Sequence, residues 1–159
     1  NNEKEVSFFT SERHPGRSSL NPKIWESLSP GEVDYTESQG IDASTLDKLV
    51  NDYQIDDVSL IKLDLEGAEV DALLGGIKTL KENRPAIVLE FGLRKHNENV
   101  FGQNLEDFFD LLDDASYSAY LPWGAQVTRN SEIPFWYLFA FPNENSNYKQ
   151  YLEKAWATL

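Results

Sequence analysis

The chain contains no cysteine, no methionine and only two histidines, and its 14 basic residues face 27 acidic ones. Without cysteine there is no disulfide framework, which suits a cytoplasmic protein. The net charge of −13 argues against a nucleic-acid backbone or an anionic membrane as partner and points to a neutral or cationic small molecule. No apolar run approaches the ~20 residues of a membrane span, and no signal peptide opens the chain. There is no Ser-His-Asp order, no His/Cys cluster with metal spacing and no Walker-type glycine loop, so nucleophilic catalysis and phosphoryl transfer have no support. Internal repeats and low-complexity tracts are also missing. Position 1 is Asn and Met is absent, so the expectation is a piece of a longer product.

What is present is ordinary globular chemistry: 159 residues, 40% hydrophobic and 13% aromatic. That length predicts one domain over 1–159, able to bury about 68–70% of its unfolded surface. The most informative stretch is Leu60 to Gly76. Leu60, Ile61, Leu63 and Leu65 are apolar on both faces of a strand, as in a central parallel strand covered by helices. Val70, Leu73, Leu74 and Ile77 then follow at i, i+3, i+4, i+7, one stripe of a helix. Gly67 stands where the chain must turn. Asp64, Glu66 and Glu69 therefore gather at the carboxyl end of a strand, the edge where open α/β sheets bind ligands.

The rest of the chain alternates in the same way. Glu5–Phe9 is a short strand candidate, and residues 11–40, with Pro15-Gly16, Asn21-Pro22 and Pro30-Gly31, form a long polar loop. Ser44 as N-cap, with Asp47 as its capping-box partner, opens a helix through Leu46, Leu49, Val50 and Tyr53. A strand over about 58–65 precedes a helix over about 68–82, in which Gly75 and Gly76 imply close packing on the sheet. Arg84-Pro85 ends that helix, and Ala86–Phe91 is a second buried strand. Asn104 caps a helix carrying Leu105, Phe108, Phe109 and Leu112 on one face. Tyr117–Leu121 and the aromatic Phe135–Phe141 are strands, and a terminal helix shows Tyr148, Tyr151, Leu152 and Ala155 on one side. This order predicts a mostly parallel α/β sheet with an antiparallel pair at one side.

The candidate chemistry is carboxylate chemistry. An acid at Asp64, closing an apolar strand, costs several kcal/mol unless paired or hydrogen-bonded. It either faces a cofactor or acceptor pocket, binds a metal, or pairs with Lys62 and the backbone of the turn. Glu69 is accounted for by the helix dipole at its position, Glu66 less so. Glu90 closes the next strand, and if the two strands are neighbours it approaches Asp64 and Glu66. Three such carboxylates offer hard oxygen ligands to a divalent cation or a general base whose pKa is raised by like charge. The alternative for Glu90 is a bond to a loop backbone. His96, in the polar run Arg94-Lys95-His96-Asn97, is either a base or ligand at the pocket edge or a solvated side chain. His14 lies in the N-terminal loop with less to recommend it.

Ile61-Lys62-Leu63-Asp64-Leu65-Glu66-Gly67-Ala68-Glu69, followed by Leu73-Leu74-Gly75-Gly76, resembles the signature of FkbM-type methyltransferases. Thr45–Leu49 upstream and Arg84–Glu90 downstream fit the same pattern in order and spacing, over roughly residues 5 to 142. The resemblance implies a partial Rossmann-like class I methyltransferase fold: mostly parallel sheet, helices on both faces, and an antiparallel hairpin at one side. It implies S-adenosylmethionine as cofactor, with a divalent metal as an option, and methyl transfer to an oxygen or nitrogen of a small metabolite or sugar. Asp64, Glu66, Glu90 and His96 would then be catalytic, and Asp64, Glu66 and Glu90 also the metal ligands. Ser18 and Ser19, which resemble the family's serine pair, would order a loop or touch the cofactor, as would Asp64. Family members begin with a strand and a glycine-rich turn that cradles the cofactor, and an acid that holds its ribose; this sequence shows neither. In the family the strand at Leu60–Leu65 pairs with that first strand. Its edge here is expected to recruit another chain or the missing segment, unless Glu5–Phe9 covers it. The rival expectations are a remnant α/β domain serving as a binding or assembly module, and a carboxylate metal site without methyl chemistry.

Overall fold

The computed structural model describes residues 4–91, 105–145 and 147–158. Strand β1 (Lys4–Thr10) and strand β2 (Thr36–Ala43) form a separate antiparallel ribbon, with a register shift between Val6 and Phe8. Between them lie a 3₁₀ turn (Pro15–Arg17) and helix α1 (Lys23–Leu28). The stretch expected to be loop thus contains a strand. Thr36–Ala43 has no apolar alternation because nearly all of it is exposed, so the period-2 signal has nothing to report. Phe9 and Ser19 exchange two backbone hydrogen bonds of 2.9 Å, which close the intervening loop onto β1.

Helix α2 (Leu46–Asp52) leads into β3 (Leu60–Leu63), and helices α3 (Glu69–Leu74) and α4 (Ile77–Asn83) precede β4 (Ala86–Glu90). Helix α5 (Leu105–Ala115) is followed by β5 (Tyr117–Tyr120), β6 (Gln126–Val127), β7 (Tyr137–Pro142) and helix α6 (Asn147–Trp156). The main sheet has the order β3-β4-β7-β5-β6. Only β3 and β4 pair in parallel; the β4–β7, β7–β5 and β5–β6 pairs are antiparallel. The expected mostly parallel sheet is corrected to a mixed, mostly antiparallel one. The reason is strand insertion. β3, β4 and β5 do run the same way, but β7 returns between β4 and β5 and makes both of its contacts antiparallel. Alternation with helices fixes strand direction, not which strands become neighbours.

The core lies on one face of this sheet. Ile61, Leu63, Ile87, Leu89, Leu138 and Ala140 point into it and are buried. Val70, Leu73, Leu80, Phe108 and Leu112 of the helices close it from above. The opposite face is not covered by helices to the same extent. Helix α6 reaches it, where Tyr148 stacks on Phe141 at 4.2 Å, while Val88 and Phe139 stay half-buried and Leu60 is 61% exposed. The central, doubly covered strand expected at Leu60–Leu65 is therefore an edge strand of the described sheet, covered on one face. Glu5–Phe9 does not cover its free edge: β1 and β2 form a two-stranded sheet of their own that does not include β3. No described helix is long and apolar enough to cross a membrane.

The glycine pair also departs from expectation. The single helix over 68–82 is two helices, broken at Gly75 and Gly76, and the close packing is against α2 rather than the sheet. A Cβ on Gly76 would sit 2.6 Å from Leu46 Cδ2, and one on Gly75 3.3 Å from Thr45 Cβ. Thr45, not Ser44, caps α2 by accepting from the Lys48 N–H at 3.2 Å. Asp47 is thereby free to cap α4, accepting from the N–H groups of Lys78 and Thr79 and from the Thr79 hydroxyl. An acid at a helix start satisfies amides that have no partner within the helix. The cap proposed at Asn104 lies outside the described residues.

Candidate active site

Strands β3 and β4 run side by side with Leu63 opposite Leu89, so the next residues out, Asp64 and Glu90, end the two strands together. Beyond Asp64 the chain reverses through two consecutive left-handed residues, Glu66 (φ 51°) and Gly67 (φ 100°). Gly67 tolerates this freely, whereas a glutamate in that region is uncommon and must be held there by its contacts. Two contacts do so. The Trp25 indole N–H donates to Glu66 Oε2 at 3.0 Å, and Glu69 Oε1 accepts the Leu65 N–H at 2.7 Å. Glu69 is only 4% exposed and its carboxylate faces backbone amides of the turn. It orders the turn from inside and does not face the cleft.

The remaining three acids converge. One carboxylate oxygen from each of Asp64, Glu66 and Glu90 lies within 4.8 Å of the others. Their environments differ. Lys62 Nζ donates to Asp64 Oδ2 at 2.8 Å, and this bond, followed by one shared with Glu90, holds the Asp64 carboxyl below its usual range. Burial pushes the Glu90 carboxyl up to about 7, helped by its hydrogen bond to Asp64 and the charges of Asp64, Glu66 and Glu69. Burial also raises Glu66, against the lowering effect of the Trp25 bond. When two carboxyls share a site, environment decides which one keeps the proton. Here it stays on Glu90. That is the arrangement of a general base poised near neutrality.

Glu66 and Glu90 line an open cleft of about 520 Å³. Arg13, His14 and Arg17, from the loop that β1 and Ser19 close off, line it too, together with Trp25 and Trp136. The Arg17 guanidinium lies 4.5 Å above the Trp25 ring, and the Tyr35 hydroxyl donates to the Arg17 carbonyl at 3.2 Å. Ser11 organises this loop. Its hydroxyl donates to Asp34 at 3.0 Å and accepts the His14 N–H at 3.0 Å, and its own N–H donates to Ser18 Oγ at 3.2 Å.

The structure brings Asp64, Glu66 and Glu90 together as the sequence predicts. Ser18 and Ser19 have their hydroxyls in loop bonds, Ser18 with the Ser11 amide and buried Ser19 with the backbone of Asn21. Of the two roles open to that pair, these contacts are those of loop ordering. His96 lies outside the described residues. Arg13, Arg17, Trp25 and Trp136 were not singled out in the sequence. The signal for them was the rarity of their types: only four tryptophans occur, and two line this cleft.

The Methyltransferase FkbM domain matches residues 2–119, a span that includes the ribbon, the Arg13–Arg17 loop and all three converging acids. No curated protein matches the chain, and no solved structure matches it. With well over half its residues inside that match, the chain belongs to the FkbM methyltransferase domain family.

Proposed function

We propose that the cleft is the acceptor site of a methyltransferase, in which Glu90 takes the proton from an oxygen or nitrogen of a small metabolite or sugar. The family implies S-adenosylmethionine, whose part is to supply an electrophilic methyl group. The described residues do not by themselves form a cradle for that donor. The turn facing the cleft presents carboxylates instead of open backbone amides, and Gly67 is used for the chain reversal. No described strand runs into a glycine-rich turn. What these residues supply belongs to the acceptor: a base at Glu90, an acid held charged at Asp64, and walls that fix orientation.

The observation that carries this reading is the split between Asp64 and Glu90 on neighbouring strand ends, one carboxyl lowered by Lys62 and the other raised to about 7. A hydroxyl held near Glu90 loses its proton to a carboxylate that is half-formed near neutral pH. The test is methyl transfer from labelled S-adenosylmethionine to a panel of hydroxylated acceptors, with wild type and Glu90→Gln compared. Loss of roughly 10²–10⁴ in rate is expected for the variant, the usual contribution of a positioned general base. Turnover at the wild-type rate would remove Glu90 from the chemistry.

The 4.8 Å convergence of Asp64, Glu66 and Glu90 oxygens favours one second reading, a divalent cation held by hard oxygen ligands. A cation there would compete with the Lys62 ammonium for Asp64. Thermal stabilisation by Mg²⁺ or Mn²⁺ that disappears in Glu66→Gln would support it. Transfer that is unchanged by chelator would oppose it.

A further inference from the structure

The cleft lining carries both signs of charge, and this narrows the acceptor. In a chain with 27 acidic and 14 basic residues, Arg13, His14 and Arg17 line the same cleft as Glu66 and Glu90. Arg17 is the better-held cation. Its side chain is 27% exposed, and its guanidinium carbon lies 4.5 Å from the centroid of the Trp25 ring, which holds it in place. Its Nη1 is buried, and no hydrogen bond reaches it among the described residues. The Glu32 carboxylate at 3.5 Å forms an ion pair there without hydrogen-bond alignment. A guanidinium is the side chain best shaped to take an oxyanion through paired N–H donors. Trp136, 51% exposed at the cleft edge, offers an open indole face of the kind that packs against a ring.

We propose that the acceptor is a hydroxylated ring bearing an anionic group, carboxylate or phosphate, with the anion read by Arg17 and Arg13 and the reacting hydroxyl turned to Glu90. The proposal rests on the acceptor-site reading above. Orientation follows from charge. An anion placed against Asp64, Glu66 and Glu90 would be repelled, whereas a hydroxyl there finds acceptors. A volume of about 520 Å³ is within the range of small-molecule sites and suits a ring of monosaccharide size with its substituents.

The test follows the indole N–H resonances of Trp25 and Trp136 in the full chain during titration with glucuronate, glucose 6-phosphate and glucose. Both anions or either one should bind roughly tenfold or more tighter than glucose. A response to glucuronate alone assigns the carboxylate, to glucose 6-phosphate alone the phosphate, and to both a reading of charge. Arg17→Gln should bring anion binding down to the glucose level. Arg13→Gln, at a side chain 73% exposed with little packing to lose, should weaken it without unfolding the loop. Equal binding of all three sugars, no resonance shift with any of them, or an anion preference intact in both variants would overturn the proposal. Failure of the acceptor-site reading looks different: Glu90→Gln would then transfer methyl groups normally while the anion preference stayed in place.

Discussion

Asp64 and Glu90 end two parallel neighbouring strands and share one hydrogen bond, yet their carboxyls are driven in opposite directions. Lys62 keeps Asp64 charged, while burial and the neighbouring acids keep the proton on Glu90. The pair therefore holds a charged and a protonated carboxyl side by side, and burying the second costs fold stability once it ionises.

The first consequence is a stability that falls with pH. Glu90 has a folded pKa near 7, above its ordinary 4.5. Its contribution is thus fully present below pH 4.5 and lost as pH rises through about 7. Glu66 and Glu69, also raised, act in the same direction. Glu90→Gln should stabilise the chain above neutrality by about 1–2 kcal/mol, after discounting the shift for solvent screening. Urea denaturation across pH checks this. A variant less stable than wild type in alkaline buffer would contradict it.

The glycine break between α3 and α4 makes a second prediction. Gly76→Ala places a methyl group 2.6 Å from Leu46 Cδ2 and 3.2 Å from its Cβ, so the Leu46 side chain must turn away or α2 must shift. The expected loss is about 1–3 kcal/mol. Gly75→Ala, whose new Cβ meets Thr45 at 3.3 Å, should cost less. Equal stability of Gly76→Ala and wild type by denaturant titration would show that α2 does not bear on the break.

Those two glycines also show where the sequence was legible and where it was not. Of the apolar stripe Val70, Leu73, Leu74 and Ile77, the first two are buried, but Leu74 is 51% exposed, because the helix breaks just after it and the stripe does not run on as one face; Ile87 and Leu89 are buried in β4. The convergence of Asp64, Glu66 and Glu90 could be read because strand ends bring their residues together whatever the surroundings. The partner of the glycines could not, since α2 meets them through tertiary packing that leaves no local period. The same holds for β2, whose exposed residues carry no alternation, and for β7, whose place between β4 and β5 depends on long-range pairing. The basic part of the cleft lining was missed because Arg13 and Arg17 sit in a loop ordered by Ser11 and by the Phe9–Ser19 bridge.

Cofactor affinity is a third point. The described residues form no glycine cradle, so these 159 residues should bind S-adenosylmethionine weakly or not at all. Calorimetric titration giving a micromolar constant would contradict this and place the donor among residues already present.

The free edge of β3 gives a fourth. Leu60 is 61% exposed and Leu65 41%, and the outer backbone groups of β3 have no strand partner among the described residues. Such an edge templates pairing. We propose that the chain self-associates through it, and Leu60→Lys should weaken that association. A monodisperse monomer by light scattering, with the amides of Leu60–Leu63 protected from hydrogen exchange, would show that something else covers the edge.

The measurement closest to the central claim is a carbon-detected NMR titration of the aspartate and glutamate side-chain carboxyls, with Glu90 assigned through Glu90→Gln and Asp64 through Asp64→Asn. The account predicts a Glu90 midpoint near 7, a Glu66 midpoint raised above the ordinary glutamate value and an Asp64 midpoint lowered below the ordinary aspartate value. Glu90 titrating at its ordinary 4.5, alongside an unshifted Asp64, would mean that the two strand ends do not divide a proton between them, and the proposed base would be lost.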